Sequence, residues 1–132
     1  MYLVDTSAWI DALQTRPRAI GQRLQQLESE NAALYLCGPV LQEILQGARD
    51  DLTLQRYRLA LGAMRFASPL DPVQSYAEAG RLYARCRWKG VTPRSAADCF
   101  IAQLAIEHGL LLLHDDADFL KIAAVEPKLQ LA

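Results

Sequence analysis

MYLVDTSAWI, residues 1–10, sets four apolar residues directly before an acid, Asp5, and LLLLHDDADF, residues 110–119, repeats the arrangement far along the chain. A continuous apolar run too short for a helix reads as a strand buried on both faces, the pattern of parallel sheets covered by helices. The first strand is expected over Tyr2–Asp5 and the last over Leu110–Leu113. In between, Ala33–Cys37 (ALYLC) reads as a second strand, broken by Gly38 and Pro39, and Arg65–Ser68 as a short third. Lys128–Leu131 is a candidate edge strand.

Helices fill the gaps. Ser7 is a candidate cap for a helix to about Gln14, which Pro17 stops, and a second helix is expected over Arg18–Glu30 with Ile20, Leu24 and Leu27 on one face. Pro39 suits the first turn of a third helix ending near Gly47, and Leu52–Met64 reads as a fourth. Asp71 before Pro72 starts a long helix to Trp88, closed by Gly90. Ser95 starts another, ending at His108 and Gly109, and Asp118–Ala124 reads as a last short one. Strand and helix alternation implies a three-layer α/β/α domain with a mostly parallel sheet of four or five strands.

The chain has 132 residues, 52% of them hydrophobic, enough for one domain (1–132) with a real core. A net charge of −1 argues against nucleic-acid binding by bulk charge but leaves room for a local basic patch. Cys37, Cys86 and Cys99 are odd in number and widely spaced, so they read as core residues in a reducing compartment. There is no basic leader and no apolar run of the roughly 18 residues a membrane helix needs. The expectation is a soluble cytoplasmic protein without membrane contact.

In open parallel sheets, functional groups collect at the carboxyl ends of the strands. Asp5 and Asp116 are delivered there by the first and last strands, Glu43 by the helix after the second, and Asp98 by the first turn of the helix started by Ser95. Each acid alone has a structural explanation: helix cap, solvated helix residue, capping-box partner or turn former. Together they would repel one another, at about 4 kcal/mol per pair for a 4 Å separation and an effective dielectric near 20. Cations or protons must relieve that repulsion. An all-oxygen site suits Mg²⁺ or Mn²⁺, and phosphodiester cleavage is the natural chemistry of such a site.

VDTSAWI, PVLQEILQGARD, VTPRSAADCFIAQLAIEHG and LLLHDDADF, in this order and spacing, resemble the PIN-domain ribonucleases, and most closely the VapC-type toxins of type II toxin–antitoxin pairs. The resemblance spans nearly the whole chain. It implies a metal-dependent endoribonuclease that hydrolyses RNA with a metal-activated water and leaves a 3′-hydroxyl and a 5′-phosphate. It maps the family's acidic quartet onto Asp5, Glu43, Asp98 and Asp116 as catalytic and metal-binding residues, with Asp5 and Asp98 the principal ligands. Thr6 and Ser7 would support them. Asp118 is secondary, expected to serve the helix start, and Asp115 is a poorer ligand candidate. The family often has Thr where this chain has His114, which is open to two readings: a phosphate contact or a packed strand-end residue. The family also implies a small VapB-type antitoxin and a homodimer as partners.

Arg81, Arg85, Arg87, Lys89 and Arg94 form a run without an intervening acid. They are either an RNA phosphate contact surface or a solvated helix face. Trp88 could stack on a base but reads better as core or interface, and Trp9 as core or dimer interface. The apolar residues Leu41, Leu45, Leu54 and Leu61 exceed what one small sheet needs and suggest either a homodimer contact or a groove for a partner. The main rival reading is a non-catalytic regulatory, antitoxin-binding module on the same fold. A receiver-like or haloacid-type phosphotransfer domain would need a lysine near a strand end, and Lys89, Lys121 and Lys128 fall elsewhere. No GxGxxG stretch supports dinucleotide binding.

Overall fold

A computed structural model describes residues 1–132. Four strands form the sheet: β1 (Tyr2–Val4), β2 (Leu34–Leu36), β3 (Arg65–Phe66) and β4 (Leu111–Leu113). Every pairing is parallel and the order is β3-β2-β1-β4. The chain moves outward from β1 to β2 and β3, then returns to the other side of β1 with β4. The reversal lies between β1 and β4, the place where open parallel sheets collect functional groups at the carboxyl ends of their strands. The register Val4↔Leu113 brings Asp5 and His114 side by side, and the Asp5 N–H donates to the Leu113 carbonyl at 2.9 Å.

Seven helices flank the sheet: α1 (Thr6–Ala12), α2 (Ala19–Ser29), α3 (Gly38–Gln46), α4 (Asp51–Leu61), α5 (Pro72–Trp88), α6 (Ala96–Glu107) and α7 (Ala117–Val125). None is long and apolar enough to cross a membrane. Leu3, Leu112, Leu24, Ile44, Ile101, Leu104, Phe119 and Ile122 are fully buried, joining sheet and helices into one core. Each such side chain contributes on the order of 1.5–3 kcal/mol. The three cysteines are free and buried in this core, and burial pushes the Cys37 and Cys99 thiols up to about 12.

The ends of the elements follow local chemistry. Asp50 and Asp71 cap α4 and α5, each carboxylate accepting a backbone N–H three residues on. Gly90 and Gly109 take the left-handed conformation, φ 76° and 64°, just beyond α5 and α6, where a side chain would be strained.

Several expectations need correction. The fourth helix, expected over Leu52–Met64, is capped by Asp50, begins at Asp51 and stops at Leu61. Lys128–Leu131 forms no strand, only an isolated parallel bridge between Leu131 and Leu112. The first helix is capped by Asp5, whose Oδ2 accepts from the Ser7 N–H, rather than by Ser7. Trp88 is 73% exposed and is neither core nor buried interface within this chain. Trp9 is core, with an indole N–H that meets no acceptor.

A buried acid that sequence reading passed over ties α1 to α2. Asp11 accepts from the Gly21 N–H at 2.7 Å and from the Arg18 N–H at 3.2 Å, with the Arg18 guanidinium also near. Burial opposes its charge, but the Arg18 and Gly21 N–H groups prevail and hold its carboxyl below the usual carboxylate range. The helices cross so closely that a Cβ on Gly21 would lie 2.6 Å from Asp11 Oδ2 and 2.7 Å from the Ala12 nitrogen. Backbone cannot move aside cheaply. Gly21→Ala is therefore expected to lower stability by about 2 kcal/mol, read as an earlier midpoint in urea unfolding, whereas Gly80→Ala, which meets no neighbour within 4 Å, raises stability or leaves it unchanged.

Candidate metal centre at the sheet edge

Asp5 follows β1 without a gap and sits only 5% exposed. Its Oδ2 accepts from the Ser7 hydroxyl at 2.7 Å and from the Ser7 N–H at 3.2 Å. The two readings of Asp5, cap and site residue, are thus compatible: one oxygen caps α1 while the other is free of protein donors. The Ser7 Oγ also accepts the Asp115 N–H at 3.0 Å, so one hydroxyl latches the β1–α1 corner to the β4–α7 corner. Thr6 Oγ1 donates to Glu43 Oε2 at 2.7 Å, drawing α3 to the same edge. The supporting role expected of Thr6 and Ser7 has this geometric basis.

Asp98 stands in the first turn of α6, which Ser95 caps by accepting the Ala97 N–H. Asp116 caps α7, its Oδ1 accepting the Asp118 N–H at 2.9 Å. Oxygens of Asp98, Asp116 and Asp118 lie within 4.8 Å of one another, with Asp5 and Glu43 outside this triangle. Asp118 therefore belongs to the cluster by distance, although its first role is different from helix capping: its Oδ2 accepts from the backbone N–H and Nε of Arg94.

The acids differ in charge balance. Asp98 is half-buried without a basic partner, and burial, then the negative charges of Asp116, Asp5, Asp118 and Glu43, push its carboxyl up to about 7. The Arg94 backbone N–H and guanidinium hold Asp118 below the usual carboxylate range. Asp98 thus marks the point of the site where positive charge is lacking. A donor set made only of carboxylate oxygens, with one acid that resists ionisation for want of a counter-charge, fits a hard divalent cation.

The remaining candidates are scattered by the fold. His114 accepts the Asp116 N–H at Nδ1 (3.1 Å) and sets its ring edge-on to Phe119, so it braces the corner. Asp115 pairs with Arg18 at 3.1 Å and is half exposed. The basic run is not one continuous surface. Arg85 turns inward to Glu126 and the Val125 carbonyl, Arg94 is engaged by Asp116 and Asp118, and only Arg81, Arg87 and Lys89 remain exposed and unpaired. Leu41, Leu45 and Leu61 line a groove with Leu36, Met64 and Phe66. A larger apolar cleft of about 670 Å³, which includes the stacked pair Tyr76 and Phe100, lies beside the start of α6. Sequence reading missed Arg94 as a partner of the acids. The signal available was its place one residue before the Ser95 cap.

Comparison with known proteins shows the family and the fold. The family model described as PIN domain matches residues 2–125. The chain is 38% identical over 126 residues to VapC ribonuclease Mb1587 of Mycobacterium bovis, covering 95% of this chain and 93% of that protein. Ribonuclease VapC11 of Mycobacterium tuberculosis matches to the same extent. Among solved structures, VapBC2 from Rickettsia felis bound to a promoter DNA fragment superposes with a TM-score of 0.75 at 21% identity, covering 99% of this chain and 96% of the other. VapBC-1 from nontypeable Haemophilus influenzae superposes with a TM-score of 0.74 at 22% identity and the same coverage. At those identities the structural likeness speaks for the fold.

An acid whose folded pKa lies above its unfolded value binds more protons folded than unfolded between the two. For Asp98 that window runs from 3.8 to about 7. Stability from this group is present below the window and is lost as pH rises through it. Asp11, Asp50 and Asp118, held low, act oppositely and only at more acid pH. In EDTA, wild-type protein should melt at a lower temperature at pH 8 than at pH 5.5. Asp98→Asn should flatten that difference and melt higher than wild type at pH 8; equal slopes in the two proteins would contradict the charge balance described.

Proposed function

The chain belongs to the PIN domain family, and from that premise we propose that it is the endoribonuclease toxin of a type II toxin–antitoxin pair. The observation that carries the reading is the half-buried, uncompensated carboxyl of Asp98 facing Asp116, Asp5 and Glu43 at the switch point of the sheet. The names of relatives 38% identical over almost their whole length support ribonuclease activity. Mg²⁺ or Mn²⁺ is the proposed cation. When bound, it supplies Lewis acidity toward the phosphate and lowers the pKa of a water to within reach of neutral pH.

The chain's own residues do the rest. Asp5, Asp98 and Asp116 are the proposed ligands, and Glu43 completes the site. Ser7 fixes the Asp5 carboxylate and Thr6 fixes Glu43. Burial and the neighbouring acids push the Asp98 carboxyl up to about 7, so a bound cation would relieve the charge that Asp98 otherwise resists. Arg81, Arg87 and Lys89 remain available for phosphate contacts along an RNA strand. A small VapB-type antitoxin is the proposed partner, and the groove of Leu41, Leu45 and Leu61 and the cleft of Tyr76 and Phe100 offer apolar surface for it and for a second copy of the chain. The proposed setting is the cytoplasm, and the proposed extent is one domain over residues 1–132.

The rival, a regulatory module that binds without hydrolysis, predicts that the acids are dispensable for any toxic effect. Purified protein should cut total cellular RNA into discrete fragments bearing 5′-phosphates with Mg²⁺ or Mn²⁺, and cut nothing in EDTA. Asp5→Asn and Asp98→Asn should each reduce cleavage by roughly two orders of magnitude or more, as expected when a group that positions the transition-state charge is lost. Growth arrest that survives both substitutions, with no cleavage by the wild type, would favour the binding module.

A further inference from the structure

By distance, Asp98, Asp116 and Asp118 are three equivalent donors. Their partners make them unequal. Asp118 is only 4% exposed, and its Oδ2 accepts twice from Arg94, from the backbone N–H at 3.0 Å and from Nε at 3.1 Å. Its Oδ1 faces Lys121 Nζ at 3.9 Å. Asp118 therefore already has its counter-charge. Asp116 has half of one: Oδ1 accepts from Arg94 Nη2 at 3.0 Å and from the Asp118 N–H, while Oδ2 meets no donor. Asp98 has none. One guanidinium thus spans two carboxylates, with Nε on one and Nη2 on the other. A planar fork fixes the separation and direction of its two donor nitrogens, which a single ammonium nitrogen does not.

The bridge also crosses the fold. Arg94 lies in the segment that enters α6, and Asp116 and Asp118 lie on the corner that enters α7. Arg94 consequently fixes the Asp116 carboxylate relative to the helix that carries Asp98. We propose that Arg94 is a positioning residue that withholds Asp118 from the divalent cation and aims the free oxygen of Asp116 toward Asp98, so that the ion settles on the Asp98 side of the corner. This inference rests on the metal-centre reading above. It assigns Asp118, for all its proximity, to the scaffold rather than to the ligand set.

Arg94 is 76% exposed, so its replacement should leave the fold intact. Loss of its guanidinium leaves Asp118 Oδ2 held by the residue-94 backbone N–H alone, which loosens Asp118 toward the ion, and removes a positive charge from beside the ion. Affinity and turnover should then move in opposite directions. The test is Mn²⁺ titration, followed by the electron paramagnetic resonance signal of free Mn²⁺, alongside RNA cleavage and thermal melting. Arg94→Gln should bind Mn²⁺ roughly tenfold more tightly than wild type, a Coulomb effect reduced by solvent, yet cleave RNA more slowly. Arg94→Lys keeps the charge without the fork, so its Mn²⁺ affinity should stay near wild type while cleavage remains low. Adding Asp118→Asn to Arg94→Gln should return the affinity to the wild-type level. The proposal is overturned if Arg94→Gln binds Mn²⁺ no more tightly than wild type, or if Asp118→Asn alone abolishes binding. Failure of the wild type itself to bind Mn²⁺ would overturn both this inference and the metal-centre reading beneath it.

Discussion

Repulsion among carboxylates at the carboxyl edge of the sheet is the constraint around which this protein is organised. Asp98 sits half-buried and feels the charges of Asp116, Asp5, Asp118 and Glu43. Hydrophobic burial elsewhere secures the arrangement. Leu3, Val4, Leu112 and Leu113 are locked into the sheet core, so the residues that follow, Asp5 and His114, have no freedom to retreat into solvent. The fold therefore holds like charges together by means of apolar packing that is indifferent to them.

How each acid is held explains what it can do. Neutral donors orient Asp5 and Glu43: the hydroxyls of Ser7 and Thr6 fix one oxygen of each without cancelling the charge. Basic groups, by contrast, hold the outer acids. Arg18 takes Asp115 on one side of the corner, and Arg94 takes Asp116 and Asp118 on the other. Negative charge is neutralised at the rim and left unbalanced in the middle. That gradient is what a site for a small divalent cation requires, because an ion drawn to the corner meets its strongest field at Asp98.

The alternation of strands and helices was legible because each apolar run is bounded by strong punctuation: Asp71-Pro72 before α5, Gly90 after it, Ser95 before α6 and Gly109 after it. The placing of Asp5 and Asp116 just after β1 and β4 was legible from the same runs, but the close cluster joins Asp116 to Asp98 and Asp118 and leaves Asp5 and Glu43 outside it. What could not be read depends on pairs distant in sequence. Arg94 with Asp118, Arg18 with Asp115 and Arg85 with Glu126 all link different elements, so a basic run that looks continuous along the chain is divided in space. Asp11 gave no signal because its partners are backbone N–H groups, which every residue but proline supplies. The exposure of Trp88 was missed because hydrophobicity alone does not distinguish a core face from an outer one at a helix end.

The central claim is that the unbalanced charge at Asp98 is a cation site. Crystals grown with Mn²⁺ and measured for anomalous scattering at the manganese edge test it most directly. The expected result is an anomalous peak coordinated by Asp98, with Asp5 and Asp116 oxygens around it and Asp118 still on Arg94. A peak coordinated by Asp118 in place of Asp98, or a corner without any peak at millimolar Mn²⁺, would contradict it.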